Sequence, residues 1–186
     1  MFVPVQAEPP FSRPSVQSAP QVARPGGQIV LAEFVVPAAE LAAGWWWVGA
    51  HGGAGETTLE QLYVGTRAAG HRWPVSPGRL LAVVLVARTS ARGLLAAQAA
   101  LRELAERRPP IRLLGLVLIA DAPGRLPRPL RELGERIAGA VPHAWWFPWV
   151  AAWREGETPS RANSPKQALR LLEQLAGAHD HREAGS

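Results

Sequence analysis

Chemically capable side chains fall in three places along the chain. The first is the run His51-Gly52-Gly53-Ala54-Gly55-Glu56-Thr57-Thr58. Glycines at this density make turns that other residues resist. A helix opening straight after such a turn offers unpaired N–H groups and the positive end of its dipole to an anion. The Thr57 hydroxyl could ligate Mg²⁺, so the chemistry indicated is phosphate binding. The second place is Asp121, which follows the apolar run Leu116-Val117-Leu118-Ile119-Ala120 and precedes Ala122-Pro123-Gly124. A carboxylate at the carboxyl end of a strand suits a metal-bound water, although D-A-P-G is also an ordinary turn. The third is Trp149 with Trp153, which could stack on a base or anchor a partner. Packing competes for these rings, because tryptophan buries more area than other side chains.

Other chemistries lack a foothold. There is no cysteine, which excludes disulfides, thiolate catalysis and thiolate zinc sites. No G-x-S-x-G or H-E-x-x-H motif occurs. His179-Asp180-His181 has metal-ligand types, but it sits in a polar tail and reads as solvated. The net charge of +5 is carried almost wholly by arginine. A GC-rich coding sequence would produce the same bias, an explanation that competes with nucleic-acid binding, and no basic stripe with interleaved aromatics is present to mark a nucleic-acid site.

Strand and helix alternate along the chain that carries these groups. Residues 29–36 have β-branched and aromatic strand character. A helical turn over 38–43 leads to the buried strand Trp45-Trp46-Trp47-Val48-Gly49-Ala50, which delivers the chain to the glycine loop. A helix is expected over 57–69, with Leu59, Leu62, Tyr63 and Thr66 on one face and Gly70 as its stop. Residues 71–78, holding Trp73 and two prolines, read as a loop. The apolar runs 80–87 and 111–120 are parallel-strand signals. Between them lies a helix capped by Ser90, with Leu94, Ala97, Leu101, Leu104 and Ala105 inward, stopped by Pro109-Pro110. A further helix begins at Pro127, a last strand covers 144–150, and a final helix capped by Ser164 ends at Gly177. Such alternation implies right-handed crossovers and a compact, doubly wound α/β domain with a mostly parallel sheet.

The loop resembles that of the ParA/MinD-type ATPases, the deviant-Walker branch of the P-loop NTPases, whose loop runs roughly K-G-G-x-G-K-[ST]-T. Gly52, Gly53, Gly55, Thr57 and Thr58 match it, while His51 and Glu56 stand where the two lysines belong. Later segments follow in the family's order: Val83-Val84-Leu85-Val86, Gly115-Leu116-Val117-Leu118, Pro148, Gly156-Glu157-Thr158-Pro159 and the closing helix. The similarity covers residues 45–176, with a gap before Val83 where such ATPases carry further strands. Residues 29–36 are expected to fill the vacated place beside the Trp45 strand. In the rival mapping, Asp121 is the Walker B carboxylate.

The resemblance implies a P-loop NTPase-type fold and a site built from His51 to Thr58, with Thr57 and Asp121 toward a metal. Trp149 and Trp153 follow the strand that precedes the family's adenine-binding segment. The implied ligand is ATP or ADP with Mg²⁺, bound weakly because the Glu56 carboxylate repels a triphosphate; the alternative is no cofactor. The expected function is a non-hydrolysing regulatory or partner-binding module, a pseudo-ATPase with no catalytic residues. Arg88, Arg125 or Arg154 is expected to pair with Glu56 and plug the loop. Alternatives are a slow Mg²⁺-dependent ATPase of a DNA-partition, conjugation or secretion system, and a purely structural interaction module.

The 186 residues are expected to divide into a Pro-rich disordered arm (1–28), the α/β domain (29–177) and a polar tail (178–186). Prolines interrupt any secretory h-region, and no apolar run is long enough to span a bilayer, so the chain reads as cytoplasmic. A protein partner is expected, a homodimer among the options.

Overall fold

The computed structural model describes residues 31–183. The arm expected over 1–28 and the first two residues of the strand expected at 29–36 lie outside that range. The elements run β1 (Ala32–Val35), a 3-10 turn (Ala38–Glu40), β2 (Trp46–Gly49), α1 (Glu56–Leu62), β3 (Arg67–Ala68), β4 (Arg72–Val75), β5 (Leu81–Arg88), α2 (Ala91–Arg107), β6 (Ile111–Ile119), α3 (Arg128–Ala138), β7 (Ala144–Phe147), α4 (Ala151–Arg154) and α5 (Lys166–Glu183). Five strands make one sheet in the order β3-β2-β5-β6-β7, with every pairing parallel. The parallel α/β architecture is the one that the strand–helix alternation predicts.

Side-chain alternation along the strands divides the core into two layers. On one face Trp46, Val48, Val83, Leu85, Leu116 and Leu118 pack with Leu94 and Ala97 of α2 and Ile137 of α3. On the other, Trp45, Trp47, Val84, Val86 and Val117 pack with Leu59 and Leu62 of α1 and Leu171, Leu172 and Leu175 of α5. The tryptophan run is therefore split by the strand pleat, one indole to one layer and two to the other. β6 carries one extra residue where Val83 pairs with Leu113 but Val84 pairs with Gly115. Gly115 is needed at this bulge because a Cβ there would stand 2.3 Å from the His143 carbonyl oxygen.

Several local expectations are corrected. α1 ends at Leu62 rather than at residue 69, since the chain turns at Gly65 with φ +86° and enters β3. β3 occupies the place beside the Trp45 strand, pairing Trp46 with Arg67 and Trp47 with Ala68. β1 instead pairs in parallel with β4, within the segment read as a loop, in a separate two-stranded sheet. Pro74 is tolerated because this small sheet has only two strands. In α2, Ala105 is exposed whereas Ala100 and Glu103 are buried. Glu103 accepts hydrogen bonds from the Leu31 N–H (2.8 Å), the Trp73 indole (3.3 Å) and Arg107 (2.9 Å), tying β1 and β4 to α2.

The helix punctuation is as expected at Ser90, whose hydroxyl accepts the Gly93 N–H. Ser164 differs, donating its hydroxyl to the Ser160 carbonyl at 2.6 Å. α5 continues past Gly177, and His179 is buried with its ring 5.5 Å from that of Trp45, so it is no part of a solvated tail.

Candidate functional site

The loop sits at a reversal of strand order. From β2 the chain passes through α1 to β3 on one side, and the next strand of the main sheet, β5, lies on the other side of β2. Crevices at such points, at the carboxyl ends of parallel strands, are where open α/β sheets bind ligands. The loop is built on two left-handed glycines, Gly53 (φ +75°) and Gly55 (φ +108°). Gly55 is also the close-contact position, where a Cβ would lie 2.7 Å from Ile119.

Glu56, the first residue of α1, folds back on the loop. Only 7 % of the residue is exposed, and its Oε2 accepts the Gly55 N–H at 3.0 Å. Its Oε1 lies 3.8 Å from Nε2 of His71. The His71 Nδ1 is 2.9 Å from the Gly49 carbonyl oxygen, and since a carbonyl only accepts, that nitrogen carries the hydrogen. Gly49 makes room for the group: a Cβ there would be 2.8 Å from both Glu56 Oε2 and His71 Nδ1. The expected arginine partner is thus corrected. Among the described residues it is the His71 ring, delivered by its own segment beside the end of β2, that faces the Glu56 carboxylate, an ion pair when that ring is protonated.

His51, at the head of the loop, is buried and turned under it. Its Nε2 accepts the backbone N–H of Arg88 at 3.0 Å, and its Nδ1 faces the Gly52 carbonyl at 3.0 Å. The ring is committed to joining the loop to the end of β5. α2 presses against this joint at Gly93, where a Cβ would be 2.3 Å from the Arg88 carbonyl oxygen and 2.9 Å from His51 Nε2.

Arg88 lies across the loop, donating from Nε to the Gly53 carbonyl (3.3 Å) and from Nη1 to the Ala120 carbonyl (3.1 Å). Burial holds its guanidinium below the usual arginine range; Asp121 and, less strongly, Glu56 oppose the effect, and the nearby Arg154 adds to it. Arg88 is one wall of a cleft of about 290 Å³ whose lining includes Gly55, Thr58, Trp149, Trp153 and Arg154. Trp149 and Trp153 therefore do meet the loop, brought there by the chain leaving β7. Trp153 is pinned by its indole N–H to Asn163 Oδ1 at 2.9 Å. Asn163 also accepts the Ser160 N–H and donates to Glu157 and to the Thr158 carbonyl. A lone asparagine in a polar stretch gives no signal of this role in the sequence.

Asp121 stands apart. It is exposed at the end of β6, its N–H bonded to the Thr89 hydroxyl at 3.1 Å. It lines a second cleft of about 350 Å³ with Ser90, Arg125 and Trp146. Thr57 is exposed and lines neither cleft, and β5 separates β2 from β6. Among the described residues no group of three or more His, Cys, Asp or Glu side chains is placed to hold a metal. None of the helices there is long and apolar enough to cross a membrane.

No curated protein and no solved structure matches the chain. The profile of a family of unknown function, DUF6668, matches residues 43–169, and the chain belongs to that family. The matched stretch holds the glycine loop, Glu56, His71, Arg88 and both tryptophans of the cleft, and leaves out β1 and most of α5.

Proposed function

We propose that this member of DUF6668 is a non-hydrolysing, ParA/MinD-like P-loop domain that works as a regulatory or partner-binding module in the cytoplasm. One observation carries the reading: the Glu56 carboxylate, buried and bonded to the Gly55 N–H at 3.0 Å, takes up an anion-binding donor of the loop itself. In a phosphate-binding loop such N–H groups point at the ligand. Here an internal carboxylate meets one of them, and a second anion brought close would be repelled at low local dielectric. His51 supports the same reading, because a ring spent on the Arg88 N–H cannot reach a nucleotide across an interface.

The test is intrinsic tryptophan fluorescence with ATP, ADP and GTP titrated in, with and without Mg²⁺, on the natural protein and on Glu56→Lys. The expected result is silence from the natural protein and a saturable response from Glu56→Lys. A micromolar response from the natural protein would remove the closed-loop reading.

A second reading, a slow ATPase, draws on Arg88, whose guanidinium crosses the loop and could take the lysine's role. It requires Mg²⁺-dependent phosphate release that Thr57→Ala abolishes.

A further inference from the structure

We propose that the cleft between the loop and the exit of β7 docks an acidic segment of a partner protein, seating a carboxylate between Arg88 and Arg154 and an apolar side chain against Trp149 and Trp153. This rests on the reading of the domain as a partner-binding module whose loop is closed to nucleotide.

Arg88 has Nε and Nη1 tied to the Gly53 and Ala120 carbonyls, which leaves Nη2 without a partner among the described residues. Held at two points, the guanidinium has little freedom left to lose when it binds, so its contact with an anion is pre-organised. Arg154 ends α4, is exposed, and makes no hydrogen bond or ion pair among the described residues. Like charge from Arg154 bears on Arg88, and both side chains line the same cleft. No carboxylate lies within ion-pairing distance of either among the described residues; Asp121 and Glu56 act on Arg88 only from farther away. Nη2 of Arg88 and the guanidinium of Arg154, both lining one cleft, can donate to the two oxygens of one carboxylate.

The apolar half favours a peptide over a small anion. Trp149 and Trp153 are half-buried, and Pro148 and Pro159 extend the apolar wall. Tryptophan beside arginine is the composition of protein–protein hot spots. At about 290 Å³ the cleft is at the lower bound for a small-molecule pocket and large enough for one or two side chains. The chain's net charge of +5 would steer an acidic partner toward it.

The test follows tryptophan fluorescence of the full chain at low salt with three probes: a capped peptide alternating glutamate and leucine, its glutamine–leucine counterpart, and inorganic phosphate. Arg154→Gln is the diagnostic variant, since that side chain is exposed and makes no hydrogen bond or ion pair among the described residues. The acidic peptide should give a saturable change that high salt weakens. Arg154→Gln should raise its dissociation constant by about threefold to tenfold. The glutamine peptide should give no change. No saturable response, an equal response to the glutamine peptide, or an unchanged response in Arg154→Gln would each overturn the proposal. Phosphate saturating the same signal at lower concentration than the peptide would also overturn it, reassigning the cleft to a small anion. MgATP titrated in parallel separates the two readings. A response to MgATP in the natural protein removes the closed-loop reading, whereas silence to both MgATP and peptide removes only the docking proposal.

Discussion

Gly49 and Glu56 are fitted to each other across the loop: a Cβ on Gly49 would stand 2.8 Å from Oε2 of Glu56. A glycine in the last position of a buried strand normally weakens it. Here it leaves the space in which the carboxylate folds back to the Gly55 N–H.

Gly49→Ala should therefore displace the carboxylate, destabilising the protein by about 1–3 kcal/mol in urea unfolding. Shortening the acid relieves the clash with Glu56 and leaves the one with His71 Nδ1, so Gly49→Ala combined with Glu56→Ala should still be destabilising but cost less than the sum of the two single changes. Additive losses would show that the two residues do not share that space.

The loop glycines should separate sharply. Gly52 has open space at its Cβ position and no left-handed φ, so Gly52→Ala should fall within about 0.5 kcal/mol of the natural protein. Gly55→Ala meets both a φ of +108° and Ile119 at 2.7 Å, and should cost about 1–3 kcal/mol or more. Equal stabilities by thermal or urea melting would contradict the loop conformation described.

The joint beneath the loop predicts another ordering. His51→Ala leaves the Arg88 N–H without its acceptor and should cost about 1–3 kcal/mol. Gly93→Ala should be worse, about 3 kcal/mol or failure to fold, because the Arg88 carbonyl at 2.3 Å is backbone and cannot swing aside. Circular dichroism melts of the two variants would settle the order, and a harmless Gly93→Ala would refute it.

Glu103 gives the fourth test. Glu103→Ala strips the acceptor from the Leu31 N–H and the Trp73 indole, and should cost about 2–4 kcal/mol. Glu103→Gln retains one acceptor oxygen and should cost less. Hydrogen exchange should show β1 opening first in the alanine variant, since Leu31 leads directly into it. Uniform loss of protection would argue against a local tie.

The elements legible in the sequence are those whose signal is local. The apolar run of β5, nine residues of β6, the Ser90 cap and the proline stop of α2 each contain their own instruction, so they stand where periodicity and punctuation put them. The glycine loop is legible for the same reason, because a left-handed turn demands glycine whatever surrounds it. β4 was hidden because its strand character depends on β1, some forty residues earlier in the register Ala32 to Arg72, and a proline within it argues for a loop. β3 is two residues long and carries no pattern at all.

The parallel α/β layering, the loop after β2, the place of Thr57 in the first turn of α1 and that of Asp121 at the end of β6 all follow from local sequence signals. Where the charges point depends on the folded chain. Glu56 turns back to Gly55 and His71 because Gly49 leaves room; Glu103 is buried because β1 and β4 bring donors to it. Arg88, Arg154 and two tryptophans meet because β5 and the exit of β7 flank β6 in the sheet. A charged side chain takes its position from the partners and cavities it finds, and those come from strands far apart in the chain.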